Sequence, residues 1–194
     1  MELQHNFKSK SHDLVALFED TKLMSTFMRK LEKQADIDPV RYERDQYVGD
    51  GFEFFVELFL ALHPNDNRIG VSNYIPIQEN DNGVDGIGVN VHGNKCVVQI
   101  KYRSNVKYLL TANVDHLGNM VTEGMGKYDV VYDNINLKNY RHFIFTTAQG
   151  LHYHTDQEVF NSRVRCFGYV DFRNLLDGNI PFWTNALEIV KNLK

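Results

Sequence analysis

The chain has 194 residues, of which 43% are hydrophobic and 24% charged, a globular balance that excludes a wholly disordered or fibrous protein and predicts one domain with a short terminal extension. Its 21 basic and 25 acidic residues sum to −4, which excludes a strongly basic protein that coats nucleic acid by bulk charge but allows a local basic groove. Thirteen Phe, ten Tyr and one Trp are enough for a substantial core. The longest apolar stretch, Phe52 to Leu62, contains Glu53 and Glu57 and falls short of the roughly 20 residues a bilayer crossing needs, so no membrane association is expected. Met1 to Lys10 holds no apolar signal core, and Cys96 and Cys166 lie in strand-like apolar runs as reduced core residues would. Both features predict an intracellular, cytoplasmic protein, and no Cys or His spacing suggests zinc.

In chain order, residues 11 to about 34 carry Leu14, Leu17, Phe18, Met24, Met28 and Leu31 near helical spacing, with Ser11 or Asp13 as the cap. Asp38-Pro39 opens a second short helix, and Gly49-Asp50-Gly51 is expected to break the chain. Phe52 to His63 then forms an apolar helix ending at Pro64. Val71–Gln78, Val84–Val91 and Lys95–Tyr102 read as strands, followed by a helix from Thr111 to about Gly126. Arg141–Thr147 is a strand, Gln149-Gly150 a turn, Thr155–Phe160 a short helix and Val164–Val170 another strand. Asp171–Leu176 forms a short helix stopped by Gly178, and Pro181 opens a last helix with Trp183 in the core. This order predicts an α/β fold around a mixed sheet flanked by helices. Residues 1–48 form an N-terminal helical extension and residues 49–194 the main domain.

The chemistry concentrates in one hairpin. Gly93-Asn94 suits a two-residue turn, which pairs residue 92 with 95. Ile87, Val89 and Val91 then face Ile100, Val98 and Cys96. The opposite face carries Gln99 and Lys101 over Gly88 and Gly86, a space left unfilled around a lysine. In this register Asp85 pairs with Tyr102 and points to the apolar side. It reaches Lys101 only if the strand bends or bulges near Gly83 or Gly86.

A carboxylate, a Gln carbonyl oxygen and a backbone carbonyl are hard ligands of the kind Mg²⁺ takes. A bound metal lowers the pKa of water and offsets charge on a phosphodiester, and a neighbouring Lys orients the attacking water. Glu53 and Glu57, one turn apart on an apolar helix, could supply a further carboxylate.

These residues resemble the PD-(D/E)xK nuclease superfamily, in its Mrr-like restriction-endonuclease branch. Phe52-Glu53 stands in the helix, Gly83-Val84-Asp85-Gly86 at a strand start, and Gln99-Ile100-Lys101 with Tyr102-Arg103 after the hairpin. Ile144-Phe145-Thr146-Thr147 and Val164 to Leu176 resemble the later strand and the closing strand and helix, so the likeness spans roughly residues 49–177. It implies a restriction-endonuclease-like fold and a Mg²⁺-dependent DNA endonuclease of a bacterial or phage-infected cytoplasm, with Mn²⁺ able to substitute. Glu53, Asp85, Gln99 and the Ile100 backbone carbonyl would hold the metal, Glu57 being the alternative acidic ligand, and Lys101 would be the catalytic lysine. Gln99 stands where Glu is commoner, and residues 1–48 match nothing in the motif set.

Arg103, Lys107, Arg68 and Lys95 gather around the hairpin in sequence and are expected to contact DNA phosphates. His5, Lys8, Lys10, Arg29, Lys30 and Lys33 make the N-terminal segment either a DNA-contacting or dimer element, or a structural cap. His152 and His154 read as surface residues. Cutting both strands would call for a homodimer or two sequential events, and a helicase or replication partner could deliver the substrate. Two alternatives stay open: a catalytically silent DNA-binding or assembly module on the same fold, and a structure-specific junction resolvase.

Overall fold

The computed structural model describes residues 12–37, 44–77, 83–112, 114–130, 139–152 and 164–193. The expected helices at Asp38-Pro39 and Thr155–Phe160, and His5, Lys8, Lys10 and His154, lie outside them.

Helices α1 (Leu14–Phe18), α2 (Met24–Ile37) and α3 (Arg44–Leu62) lead into strands β1 (Val71–Pro76), β2 (Gly86–Asn90) and β3 (Lys95–Lys101). A short strand β4 (Leu109–Leu110), helix α4 (Leu117–Gly126), strands β5 (His142–Thr146), β6 (Gly150–Leu151) and β7 (Val164–Phe167), and helices α5 (Tyr169–Leu176) and α6 (Ile180–Lys191) follow. The main sheet has the order β1-β2-β3-β5-β7, antiparallel through β1, β2 and β3 and parallel from β3 onward, and β4 pairs with β6 apart from it. The mixed α/β sheet flanked by helices is therefore as expected.

Alternation divides β3 between two cores. Cys96, Val98 and Ile100 join the aromatic core under α3, with Phe143, Phe145 and Phe167 from the neighbouring strands. Val97 faces the other layer, with Ile144, Val164 and the α4 residues Leu117 and Met120. Helix α3 is apolar nearly all round, as a helix covered on both sides must be. The sheet covers one side. Phe18, Phe27 and Trp183 close the other, with ring centroids 4.4–6.4 Å from Phe55.

The expected helix over residues 11–34 is two helices. Asp13 caps α1 through the Ala16 N–H, and the chain then turns at Asp20, which takes φ +54°. Thr21 Oγ1 and Lys30 Nζ donate to the carbonyls that α1 leaves open, at Leu17, Ala16 and Glu19. Asp177, from the α5–α6 connection, accepts the first N–H of α2 (2.8 Å). Lys30 of α2 thus serves the N-terminal segment as a structural cap on α1.

Gly49-Asp50-Gly51 does not break the chain, because α3 runs straight through it. The reason is packing. A Cβ on Gly51 would lie 2.5 Å from Leu31 Cδ1 and 2.8 Å from His12 Nε2, so the glycine lets α2 and the His12 segment approach α3. Thr111, Ala112 and residues 114–116 are not helical, so α4 starts later than expected, and β7 stops at Phe167, one residue before α5.

Gly51→Ala would gain the helix propensity of alanine yet overfill a closed contact. We expect a net loss of about 1–3 kcal/mol in urea unfolding. An unchanged or raised midpoint would show that the contact yields freely.

Candidate functional site at the slipped hairpin

The hairpin closes differently from the expected two-residue turn. Asn90 Oδ1 accepts the backbone N–H groups of His92 and Asn94, both at 3.0 Å, and the Asn90 N–H donates to the Asn94 carbonyl (2.8 Å). The loop is therefore Val91-His92-Gly93, and Gly93 takes the left-handed conformation (φ +77°) that ends a three-residue turn. The buried Asn90 amide also donates to Asn139 Oδ1 and the Tyr140 carbonyl, both at 2.7 Å, which ties the turn to the segment before β5.

This turn moves the register by three residues: Gly86 pairs with Val98 and Gly88 with Cys96. An odd shift exchanges the facing partners. The glycines expected opposite Gln99 and Lys101 instead face the α3 layer, and the expected contacts of Ile87, Val89 and Val91 with Ile100, Val98 and Cys96 do not form. Close approach accounts for the glycines. A Cβ on Gly88 would lie 2.9 Å from Val71 Cγ1, and one on Gly86 would lie 2.5 Å from Tyr74 Cζ.

Asp85 benefits from the shift. Its N–H donates to the Val98 carbonyl (2.9 Å), although Gly86 is Val98's ladder partner, so the strand slips by one residue at its start. Its carboxylate Oδ2 accepts the Ile100 N–H (2.6 Å). Asp85 thus sits against β3 between Gln99 and Lys101, away from Tyr102.

Three carboxylates act on one phenol. Burial raises the Tyr74 hydroxyl well above its usual range, and the negative charges of Asp85, Glu53 and Glu57 raise it further. Glu53 is half-buried and Glu57 is 4% exposed, both on α3. Tyr74 was not singled out in the sequence, where one aromatic in a strand reads as packing.

Gln99 is 0% exposed, and its amide nitrogen and oxygen have no hydrogen-bond partner among the described residues. It lies on the α4 side of β3, against Gly83, where a Cβ would stand 2.9 Å from its Nε2. Lys101 ends the strand on that same alternation, half-buried. Its carbonyl is held by Thr146 Oγ1 (2.7 Å), and its ammonium has no ion pair among the described residues. It lines a cleft of about 550 Å³ with Asp45, Val48 and Gly49 of α3 and Tyr102, Arg103 and Ser104 beyond β3. This cleft lies at the carboxyl ends of the parallel strands, the usual place for ligands in α/β sheets.

The four cations expected on phosphates do not form one cluster. Lys95 starts β3 and Lys101 ends it, a span of about 20 Å at strand rise. Arg68 lies at the Lys95 end, where its carbonyl meets Arg165 of β7 and its guanidinium pairs with Asp66. Arg103 and Lys107 lie at the other end. The Arg103 guanidinium is held by the buried Asp115, which also accepts the Thr111 N–H (2.6 Å), and by the Tyr102 carbonyl (2.7 Å). Arg103 therefore fixes the loop after β3, and only Lys107 stands exposed near Lys101. Separation by the length of a strand is the physical reason that nearness in sequence misled.

Among the described residues, no group of three or more His, Cys, Asp or Glu side chains is arranged to hold a metal ion. The site's donors differ from such a group. They comprise Asp85 at the seam of the sheet, Glu53 and Glu57 on the α3 side, and the Gln99 amide on the α4 side. Their hard oxygens fit Mg²⁺ or Mn²⁺ chemically, and a buried carboxamide without a partner is what a ligand-binding role would leave behind.

An unpartnered buried amide costs stability. Gln99→Leu, of similar size, should therefore stabilise the fold by about 1–3 kcal/mol in urea unfolding. Destabilisation instead would show that the amide is satisfied in the native state and is structural. Protein-family models, curated proteins and solved structures yield no match to this chain.

Proposed function

We propose that the chain is a metal-dependent endodeoxyribonuclease whose working residues are Glu53, Asp85, Gln99 and Lys101. The observation that carries this reading is the hairpin slip, which sets the Asp85 carboxylate on the Ile100 N–H between Gln99 and Lys101. Asp85 and Glu53 are the groups that would hold Mg²⁺ or Mn²⁺, with Glu57 and the Ile100 carbonyl as further oxygen donors, and the Gln99 carbonyl oxygen would join them only across Asp85, from the α4 side of the sheet. When bound, such a metal lowers the pKa of a coordinated water and stabilises charge on phosphate oxygens.

The protein's own contributions are positional. Asp85 is held by its backbone and by its carboxylate, so its orientation is set before substrate arrives. Lys101 lines the cleft and has no ion pair among the described residues, and its ammonium would orient an attacking water and neutralise the negative charge that develops on phosphate. Arg103 and Asp115 hold the loop that forms one wall of the cleft. A net charge of −4, with the four expected cations divided between the two ends of β3, makes non-specific DNA affinity modest and strongly salt-dependent.

A catalytically silent DNA-binding or assembly module is the second reading. The complete burial of Gln99, on the opposite side of the sheet from Glu53, favours it.

Supercoiled plasmid incubated with pure protein and Mg²⁺ should be nicked or cut, and Lys101→Ala should slow this by about 100-fold or more. Cleavage that survives Lys101→Ala unchanged would overturn the mechanism. Absence of cleavage by the wild-type chain would favour the silent module.

A further inference from the structure

We infer that Tyr74 is the positioning residue of this site, holding Asp85 in the slipped strand start through both its ring and its hydroxyl. The inference rests on the nuclease reading for what Asp85 does, and on geometry for what Tyr74 does.

Tyr74 lies in β1, where the ladder to β2 is irregular. Ser72 pairs with Val89 and Ile75 with Ile87, so one extra residue is accommodated over Asn73-Tyr74, and Asn73 takes φ +50°. A bulge of this kind re-aims a side chain. Here the re-aimed ring lies over Gly86: a Cβ at that position would stand 2.5 Å from Tyr74 Cζ and 2.6 Å from its hydroxyl oxygen. No residue larger than glycine fits without moving the ring. Tyr74 and Gly86 are therefore one unit, each accounting for the other.

The hydroxyl completes the hold. It donates to the Asp85 carbonyl (3.2 Å), which also accepts the Ile77 N–H (3.0 Å). On the next bonds of the same residue, the Asp85 N–H is held by the Val98 carbonyl and its carboxylate by the Ile100 N–H. The β1 bulge thus aims Tyr74, Tyr74 pins Asp85 and Gly86, and the pinned slip delivers the carboxylate to β3. A tyrosine in a plain packing role would need only its ring.

The test measures amide hydrogen exchange of Ile100 by NMR in the full chain, alongside Mn²⁺ binding followed by the loss of the free-ion EPR signal. Tyr74→Phe keeps the ring on Gly86 and should stay folded. It should speed Ile100 exchange and weaken Mn²⁺ half-saturation by about tenfold, the value of one hydrogen bond to a backbone carbonyl. Tyr74→Ala, and Gly86→Ala acting from the other side, should have larger effects on both, so that phenylalanine partly rescues what alanine loses. Ile100 exchange unchanged in Tyr74→Phe and Gly86→Ala would overturn the inference. A wild-type chain that binds no Mn²⁺ would instead overturn the nuclease reading, and the exchange result would still decide whether Tyr74 holds Asp85.

Discussion

The arrangement at the site depends on how one asparagine closes one turn. By accepting two backbone N–H groups with its side chain, Asn90 makes a three-residue loop where a two-residue turn is the simpler solution. Because side chains alternate with a period of two, the resulting odd shift reassigns every facing pair of the hairpin. It takes Gly86 and Gly88 to the α3 side, where Tyr74 and Val71 use the space, and it brings Asp85 level with Gln99. The donors of Asn90 reach Asn139 and Tyr140, so the register is also tied to the strand that extends the sheet.

Around that seam the protein is asymmetric. On the α3 side the packing is dense and aromatic, and Glu53 and Glu57 are carboxylates within the apolar second half of α3. On the α4 side Gln99 is buried beside a smaller core, with no hydrogen-bond partner among the described residues. Burying ionisable and amide groups in this way works against stability. These groups lie on the two sides of the strand pair that carries Asp85: Glu53 and Glu57 on the α3 side and Gln99 on the α4 side. The mutual arrangement of Tyr74, Gly86 and Asp85 gives this seam a rigidity that a lone acidic side chain on a strand would lack.

Much of the fold was legible in the sequence. The apolar run of α3, the three strands around the hairpin and the cap-and-proline start of α6, with Asn179 accepting the Phe182 N–H, follow from local periodicity and capping. What was not legible depends on partners distant in the chain. Gly51 reads as a breaker until Leu31 and His12 are seen beside it, and Lys30 reads as a basic surface residue until the carbonyls of α1 are seen to need it. The strand does slip beside Gly86, but in another register than the expected one, and the slip sets the Asp85 carboxylate on the Ile100 N–H. The register was missed at Asn90, whose side chain accepts the His92 and Asn94 N–H groups in place of a two-residue turn and is itself held by Asn139 and Tyr140, far along the chain. Tyr74 was missed for a related reason: its role appears only when β1 lies beside a glycine of β2.

The proposed nuclease chemistry requires that the slipped Asp85 and its neighbours bind a divalent cation. Calorimetric titration of Mn²⁺ into the wild-type chain and into Asp85→Asn tests it most directly. Saturable binding by the wild type is expected, lost or weakened at least about tenfold in Asp85→Asn while the fold is retained. No binding by the wild type, or equal binding by the two chains, would contradict it.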